Sequence, residues 1–257
     1  MSVAAPTALP GVRRVEHIMG LPIVVDVRDD GEAGDALEEL FEWLNWVDAT
    51  FSTFKDDSAI SRINRGELHR EDAHPHVRHV LKRCEELRNE TNGYFDMHTP
   101  AGSIDPSGLV KGWAVDRAAE ILDDAGLQNY AVSAGGDMRV RGRAIPELVW
   151  RVGIQHPLET QQVAGVVQTA AELAIATSGA YARGEHVWNP HTGRPPAGIL
   201  SVTIVGAELA TADAYATAAF AMGPEVAPHW TARLEGYEAM TILADETVFK
   251  TGGFPDD

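Results

Sequence analysis

The chain has 257 residues, of which 44% are hydrophobic, enough to bury one large core or two modest ones and unlike a disordered or fibrous composition. A formal charge of -17 and a pI near 4.9 argue against a nucleic-acid partner, because phosphate polymers are repelled at long range without a local basic patch. Cys84 is the sole cysteine, which excludes a disulfide framework and a cysteine-based zinc site within one chain.

Residues 1 to 11 are small and proline-containing and are expected to be a frayed lead-in to a single domain over 12 to 257. No charged leader precedes an apolar run there, no cysteine is available for lipidation, and no stretch approaches the roughly 18 apolar residues of a membrane span. A cytoplasmic protein without a membrane anchor is the resulting expectation.

Alternating apolar residues from Val15 to Val27 predict two strands broken at Gly20-Leu21-Pro22. Leu37, Leu40, Phe41, Leu44 and Val47 recur at helical spacing within 31 to 50, with acidic residues early, as a helix N-terminus favours. The Trp43/Trp46 pair belongs to the core on this reading. Residues 51 to 66 are too polar and turn-rich for a regular element, and a second amphipathic helix is predicted from about Pro75 to Thr91. Cys84 sits on the apolar face of that helix and reads as core, whereas His74, His76 and His79 read as a solvated face.

A Gly/Pro-punctuated loop over 92 to 108 leads into a predicted helix from Val110 to Ala125, closed by Gly126, and then into strand, Gly-Gly turn and strand from Tyr130 to Val140. Val149 to Ile154, Val163 to Ala174 and Val202 to Val205 read as further strands, Leu209 to Met222 as an Ala-rich helix, and 239 to 251 as a hairpin turning near Asp245-Glu246. Helices and strands mix without a steady βαβ beat or an internal repeat. The expected fold class is therefore α+β, with mixed or antiparallel sheets and packed helices.

Four segments carry residue types suited to chemistry. In 105 to 116, Asp105-Pro-Ser-Gly108 leads into a helix whose N-terminal amides suit a pyrophosphate, with Lys111 as a point charge and Asp116 as an acceptor for a hydroxyl or amino group. An ordinary capped helix with solvated charges explains the same spacing. In 131 to 142, Gly135-Gly136 permits a sharp bend before Asp137, which either accepts from ribose hydroxyls or is a hairpin turn residue. The segment 176 to 196 gathers Thr177, Ser178, Gly179, Tyr181, His186, Asn189-Pro190 and Thr192-Gly193, as a loop wrapping a polar ligand would, with His186 the candidate for proton transfer or else a structural hydrogen-bonder. Asp213 and Thr217, four apart, share a helix face and suit a hard divalent cation; alternatively Asp213 caps the helix and Thr217 packs.

In order, these segments resemble the ApbE family of FAD:protein FMN transferases. The landmarks run from His17-Ile18-Met19-Gly20 to Gly223: FSTF at 51 to 54 with Ser58, Ile60 and Asn64, GYFD at 93 to 96, SGLVKGWAVD at 107 to 116, SAGGD at 133 to 137, TSGAY at 177 to 181, HVWNPHTGRP at 186 to 195 and ADAYATA at 212 to 218. The resemblance implies a metal site for Mg²⁺ at Asp213, Thr217 and the backbone oxygen of Gly108. It implies FAD contacts at Met19, Phe54, Asp105, Lys111, Asp116, Gly135, Asp137, Thr177 and Ser178, with Phe54 beside the flavin ring and His186 near the reacting phosphate. The implied activity is Mg²⁺-dependent transfer of the FMN half of FAD to a Ser or Thr hydroxyl of a target flavoprotein, with release of AMP, and Asp213 and His186 as its catalytic residues.

The acceptor motif the resemblance implies, Asp-x-x-(Ser/Thr)-(Gly/Ala)-Ala-Thr, does not occur in this chain, so self-modification is not expected. Departures from the family pattern are Phe54 for the commoner Tyr, Leu21 for a Thr after Met-Gly, and Met97-His98 after Asp96 in place of Pro-Thr. Two other functions fit the same residues: an Mg²⁺-dependent FAD pyrophosphatase, with water in place of the acceptor hydroxyl, and a non-catalytic FAD-binding protein.

Overall fold

The computed structural model describes residues 10–31, 33–179 and 187–255, so most of the expected lead-in lies outside the described residues. Eleven strands form two sheets among them. The larger runs in the order β1 (Val12–Ile18), β2 (Leu21–Val27), β3 (Tyr130–Ala134), β4 (Asp137–Arg141), β8 (Leu173–Gly179), β9 (Ile199–Gly206), β10 (Tyr237–Leu243) and β11 (Val248–Lys250). The smaller consists of β5 (Arg143–Ile145), β6 (Leu148–Gln155) and β7 (Val163–Thr169), and every pairing in both is antiparallel. With the helices α1 (Gly34–Phe51), α2 (Ala59–Asn64), α3 (Pro75–Glu90), α4 (Ser107–Asp124), α5 (Leu209–Met222) and α6 (Ala227–Thr231), the fold is α+β, as expected.

Period-two alternation assigns each strand residue to a layer. On β8 and β9, Ala174, Ala176, Val202 and Ile204 join the helix-side core. Their neighbours Ile175 and Val205 join Ile154 and Val167 of the small sheet on the opposite face. The helices and the three-stranded sheet thus sandwich the large sheet. α5 lies between α4 and strands β8 and β9, which explains why its residues are buried almost all round and why alanine dominates it: a short side chain lets backbones approach on every side.

β5 and α6 were not expected, and three of the segments that were read differ in the structure. Residues 51 to 66 hold a short helix, α2, because the Ser58 hydroxyl accepts from the Ser61 amide at 3.0 Å and caps it. The predicted strand from Val163 to Ala174 is two strands in different sheets, parted where the Ala171 amide donates to the Thr169 hydroxyl at 3.0 Å. α4 begins at Ser107, where the Asp105 side chain accepts from the Ser107 amide at 3.0 Å, so Gly108 lies inside the helix rather than in the loop before it.

His76 is not on a solvated face. Its ring lies 5.3 Å from Trp43, and 5.6 Å from both Trp46 and Trp113. Burial lowers its pKa, with His74, His79 and Arg117 adding to the effect. Cys84 is core, as expected, and burial pushes its thiol up to about 12, which keeps it protonated at neutral pH. Among the described residues no helix is long and apolar enough to cross a membrane.

Candidate functional site

Sheet register brings three chemistry-bearing segments to one end of the large sheet. The β1–β2 turn is Met19-Gly20, both at positive φ (56° and 70°), and the β3–β4 turn is Gly135-Gly136 at 60° and 105°, the two-residue pattern that matches strand twist. Ile23 pairs with Ala134, and the Gly135 amide donates to the Pro22 carbonyl at 3.2 Å, so the two turns lie side by side. A Cβ on Gly135 would meet Leu21 Cδ2 at 3.0 Å, which the open backbone avoids. On the other side Met138 pairs with Ile175, which sets Thr177 and Ser178 beside the same glycine turn.

The helices converge on that end through a close approach. A Cβ on Gly112 of α4 would meet the Leu209 carbonyl oxygen at 2.6 Å and Ala210 Cα at 2.8 Å, so only glycine allows α4 to touch the start of α5. One turn on, the Asp116 carboxylate accepts from the backbone amides of Leu209 (2.9 Å) and Ala210 (2.8 Å) and from Arg139 of β4, which also pairs with Glu172. Asp116 thereby satisfies the free amides that open α5 and complements its dipole. Burial nevertheless holds its carboxyl above the usual range, outweighing the Ala210 amide, Arg139 and the Leu209 amide. Asp116, rather than Asp213, is thus the residue that caps α5, and both of its oxygens already accept from the protein.

Asp213, one turn further along α5, is 5% exposed and pairs instead with Lys111, whose Nζ lies 2.9 Å from Asp213 Oδ2. The same ammonium contacts Asp137 Oδ2, while Asp137 Oδ1 accepts from the Thr177 amide at 2.9 Å. Both Oδ2 atoms are buried and, this ammonium apart, have no hydrogen-bond partner among the described residues. One cation between two buried carboxylates leaves a net negative charge in a shielded place, where such charge is costly. Thr217, four residues past Asp213, shares a 3.2 Å hydrogen bond with the Ser178 hydroxyl. Carboxylate and hydroxyl oxygens on one helix face are hard donors of the kind magnesium takes.

The other predicted residues fall as follows. Gly108 is one helical turn before Lys111, against the Phe95 ring. Asp105 lies just ahead of α4, where its Oδ1 accepts from the Ser107 amide. Thr177 and Ser178 point to opposite faces: the Thr177 hydroxyl meets Thr203 at 2.9 Å, while Ser178 faces α5. Asp137, read as a carboxylate for ribose hydroxyls, is 3% exposed and committed to Lys111 and Thr177. Phe54, just past α1, is 95% exposed, a large apolar ring that nothing among the described residues covers. His186 and Tyr181 lie outside the described residues.

Several supporting contacts escaped the sequence reading, although Asn64 and His191 lie in segments it singled out. Arg139 was legible in principle, two residues from Asp137 and so on the same face of β4. Asn64 clamps the approach to α4, donating to the Ile104 carbonyl at 2.9 Å and accepting from its amide at 2.8 Å. His191 ties the loop after 186 to the turn at 91 to 94: Nε2 lies 3.0 Å from the Asn92 carbonyl, and the ring meets Tyr94 edge-on at 4.5 Å. Nothing local marks either contact, because the partners are distant in sequence.

A family model described as ApbE family matches residues 19–101 and 98–241. The FAD:protein FMN transferase of Vibrio cholerae serotype O1 is 34% identical to this chain over 158 residues, covering 58% of this chain and 47% of that protein. That of Escherichia coli strain K12 is 33% identical over 167 residues, covering 62% of this chain and 47% of that protein. The chain spans about half the length of the curated relatives it matches. Among solved structures, the flavin transferase ApbE from Vibrio cholerae superposes with a TM-score of 0.84 at 23% identity, covering 95% of this chain and 97% of that one. An ApbE protein from Thermotoga maritima gives 0.82 at 21% identity, covering 96% and 99%. Likeness at these identities speaks to the fold.

Proposed function

Because the chain belongs to the ApbE family, we propose that it is a transferase that moves the FMN half of FAD onto a Ser or Thr hydroxyl of another protein and releases AMP. The observation that carries this reading is the gathering of Lys111, Asp137 and Asp213 beside Thr217 and Ser178, at the sheet end where the Met19 and Gly135 turns meet. A shielded cluster with excess negative charge and hard oxygen donors fits a divalent cation, which draws a pyrophosphate to a protein that would otherwise repel it.

In this reading the Asp213 carboxylate, the Thr217 hydroxyl and the Gly108 backbone oxygen would hold Mg²⁺. The ion supplies neutralisation of charge on the pyrophosphate. Phe54 offers its exposed face to the flavin ring. Met19 and Gly135 shape the turns that border the site, and Ser178 orients the Thr217 hydroxyl through their 3.2 Å contact. The acceptor oxygen forms a bond to the FMN phosphorus as the bond from that phosphorus to the AMP phosphate oxygen breaks. The hydroxyl proton passes to His186 or a nearby carboxylate, and AMP leaves. Asp116 and Asp105 are positioning residues that fix α5 and α4.

The test is incubation with FAD, Mg²⁺ and a peptide bearing Asp-x-x-(Ser/Thr)-(Gly/Ala)-Ala-Thr, read by in-gel flavin fluorescence and chromatography of the nucleotides. Flavin on the peptide with stoichiometric AMP is expected, and loss of both in Asp213→Ala. Free FMN with AMP would make the protein a pyrophosphatase, and intact FAD would leave only a binding protein.

A further inference from the structure

The Lys111 ammonium stands where a cation at Asp213 would feel it most. It touches Asp213 Oδ2 at 2.9 Å and also contacts Asp137 Oδ2, and the three side chains are 15%, 7% and 5% exposed in the order Lys111, Asp213, Asp137. Each comes from a different element: α4, α5 and β4. Two carboxylates facing each other across a shielded space repel unless a cation lies between them, and here the protein provides its own.

We propose that Lys111 is the internal counter-ion of the metal-free site and competes with the divalent cation for Asp213, withdrawing onto Asp137 when the cation binds. The inference rests on the reading of Asp213 as a metal ligand. Lysine suits this role because its charge is compact and sits on a flexible four-carbon stem, so it can keep one carboxylate while releasing the other. Asp137 is the alternative partner that keeps the ammonium nearby without occupying Asp213. The metal-free site is held together at the cost of metal affinity.

An organising role for Lys111, holding Asp213 in its ligating pose, predicts the opposite sign, and magnesium binding measured without FAD separates the two. Isothermal titration of Mg²⁺ into Lys111→Met should show affinity at least about tenfold tighter than wild type, together with a larger rise in Tm on adding Mg²⁺. Lys111→Arg, which keeps the charge, should not tighten it. Asp137→Asn, which leaves the ammonium only Asp213, should weaken binding several-fold and covers the case in which Lys111→Met does not fold. Lys82→Met removes the same charge from an exposed site on α3 and should change nothing. Equal or weaker binding in Lys111→Met, or unchanged or tighter binding in Asp137→Asn, overturns the inference alone. Absence of magnesium binding in wild type and every variant removes the metal reading itself, and the inference with it.

Discussion

Asp116 of α4 holds the first turn of α5 from 93 residues away, its Oδ1 accepting from the Leu209 amide at 2.9 Å. The adjoining Ala210 amide and Arg139 complete its shell, so one carboxylate joins two helices and a strand four residues before Asp213. Removing it strips a helix of its cap and leaves a buried guanidinium short of a partner. Asp116→Ala should cost about 2–4 kcal/mol in urea unfolding. It should also weaken magnesium binding although Asp116 is not a ligand; wild-type magnesium affinity in a folded variant would show that α5 is positioned without it.

Gly112 and Gly108 make a matched pair of tests on one helix. A Cβ at Gly112 collides with backbone, the Leu209 carbonyl at 2.6 Å, whereas one at Gly108 meets the Phe95 ring at 3.1 Å. Backbone cannot yield without parting α4 from α5, but a ring can shift by a few tenths of an ångström. Gly112→Ala should therefore destabilise by about 1–3 kcal/mol. Gly108→Ala should stay within about 1 kcal/mol of wild type, since alanine also recovers helix propensity. Thermal melts of both variants check the order, and a Gly112→Ala protein as stable as Gly108→Ala would contradict the close approach.

Phe54 stabilises nothing that the described structure contains, being 95% exposed. Phe54→Ala should leave unfolding free energy within about 0.5 kcal/mol of wild type while raising the Kd for FAD several-fold, and Phe54→Tyr should restore binding. Fluorescence titration of flavin quenching reads the Kd; unchanged affinity in Phe54→Ala would remove the ring from the flavin site.

Asp96 and Asp116 should bend the dependence of stability on pH in opposite senses. Burial pushes the Asp96 carboxyl up, but the backbone amide and ring of His98, with Arg88, outweigh it and leave it below the usual range. A lowered folded value means stability present above the ordinary carboxyl pKa of about 3.9 and lost as pH falls through the folded value. Asp116 has a raised folded value, so its contribution is fully present below about 3.9 and is lost as pH rises through the folded value. The advantage of wild type over Asp96→Asn should shrink on acidification below about pH 4, and that over Asp116→Asn should shrink as pH rises above it. Urea unfolding across pH 3 to 7 supplies both curves, and parallel slopes would refute the assignment.

Much of this protein was legible before any coordinates. The 3.6-residue period located α1 and α3, the closing Gly126 and alanine content marked α4 and α5, and the i, i+4 relation placed Asp213 and Thr217 on one face of α5. The Gly-Gly pair marked the β3–β4 turn. These are local facts, carried by neighbours along the chain. Tertiary structure alone decided that Asp116, not Asp213, caps α5, that Lys111 lies between Asp137 and Asp213, and that His76 belongs among tryptophans. It also decided that Gly112, a poor helix former by propensity, is where α4 and α5 touch. The physical reason is that a charge or an open amide states only its need for a partner. Which partner answers depends on packing that brings residues some 20 to 100 positions apart to within 3 Å of each other.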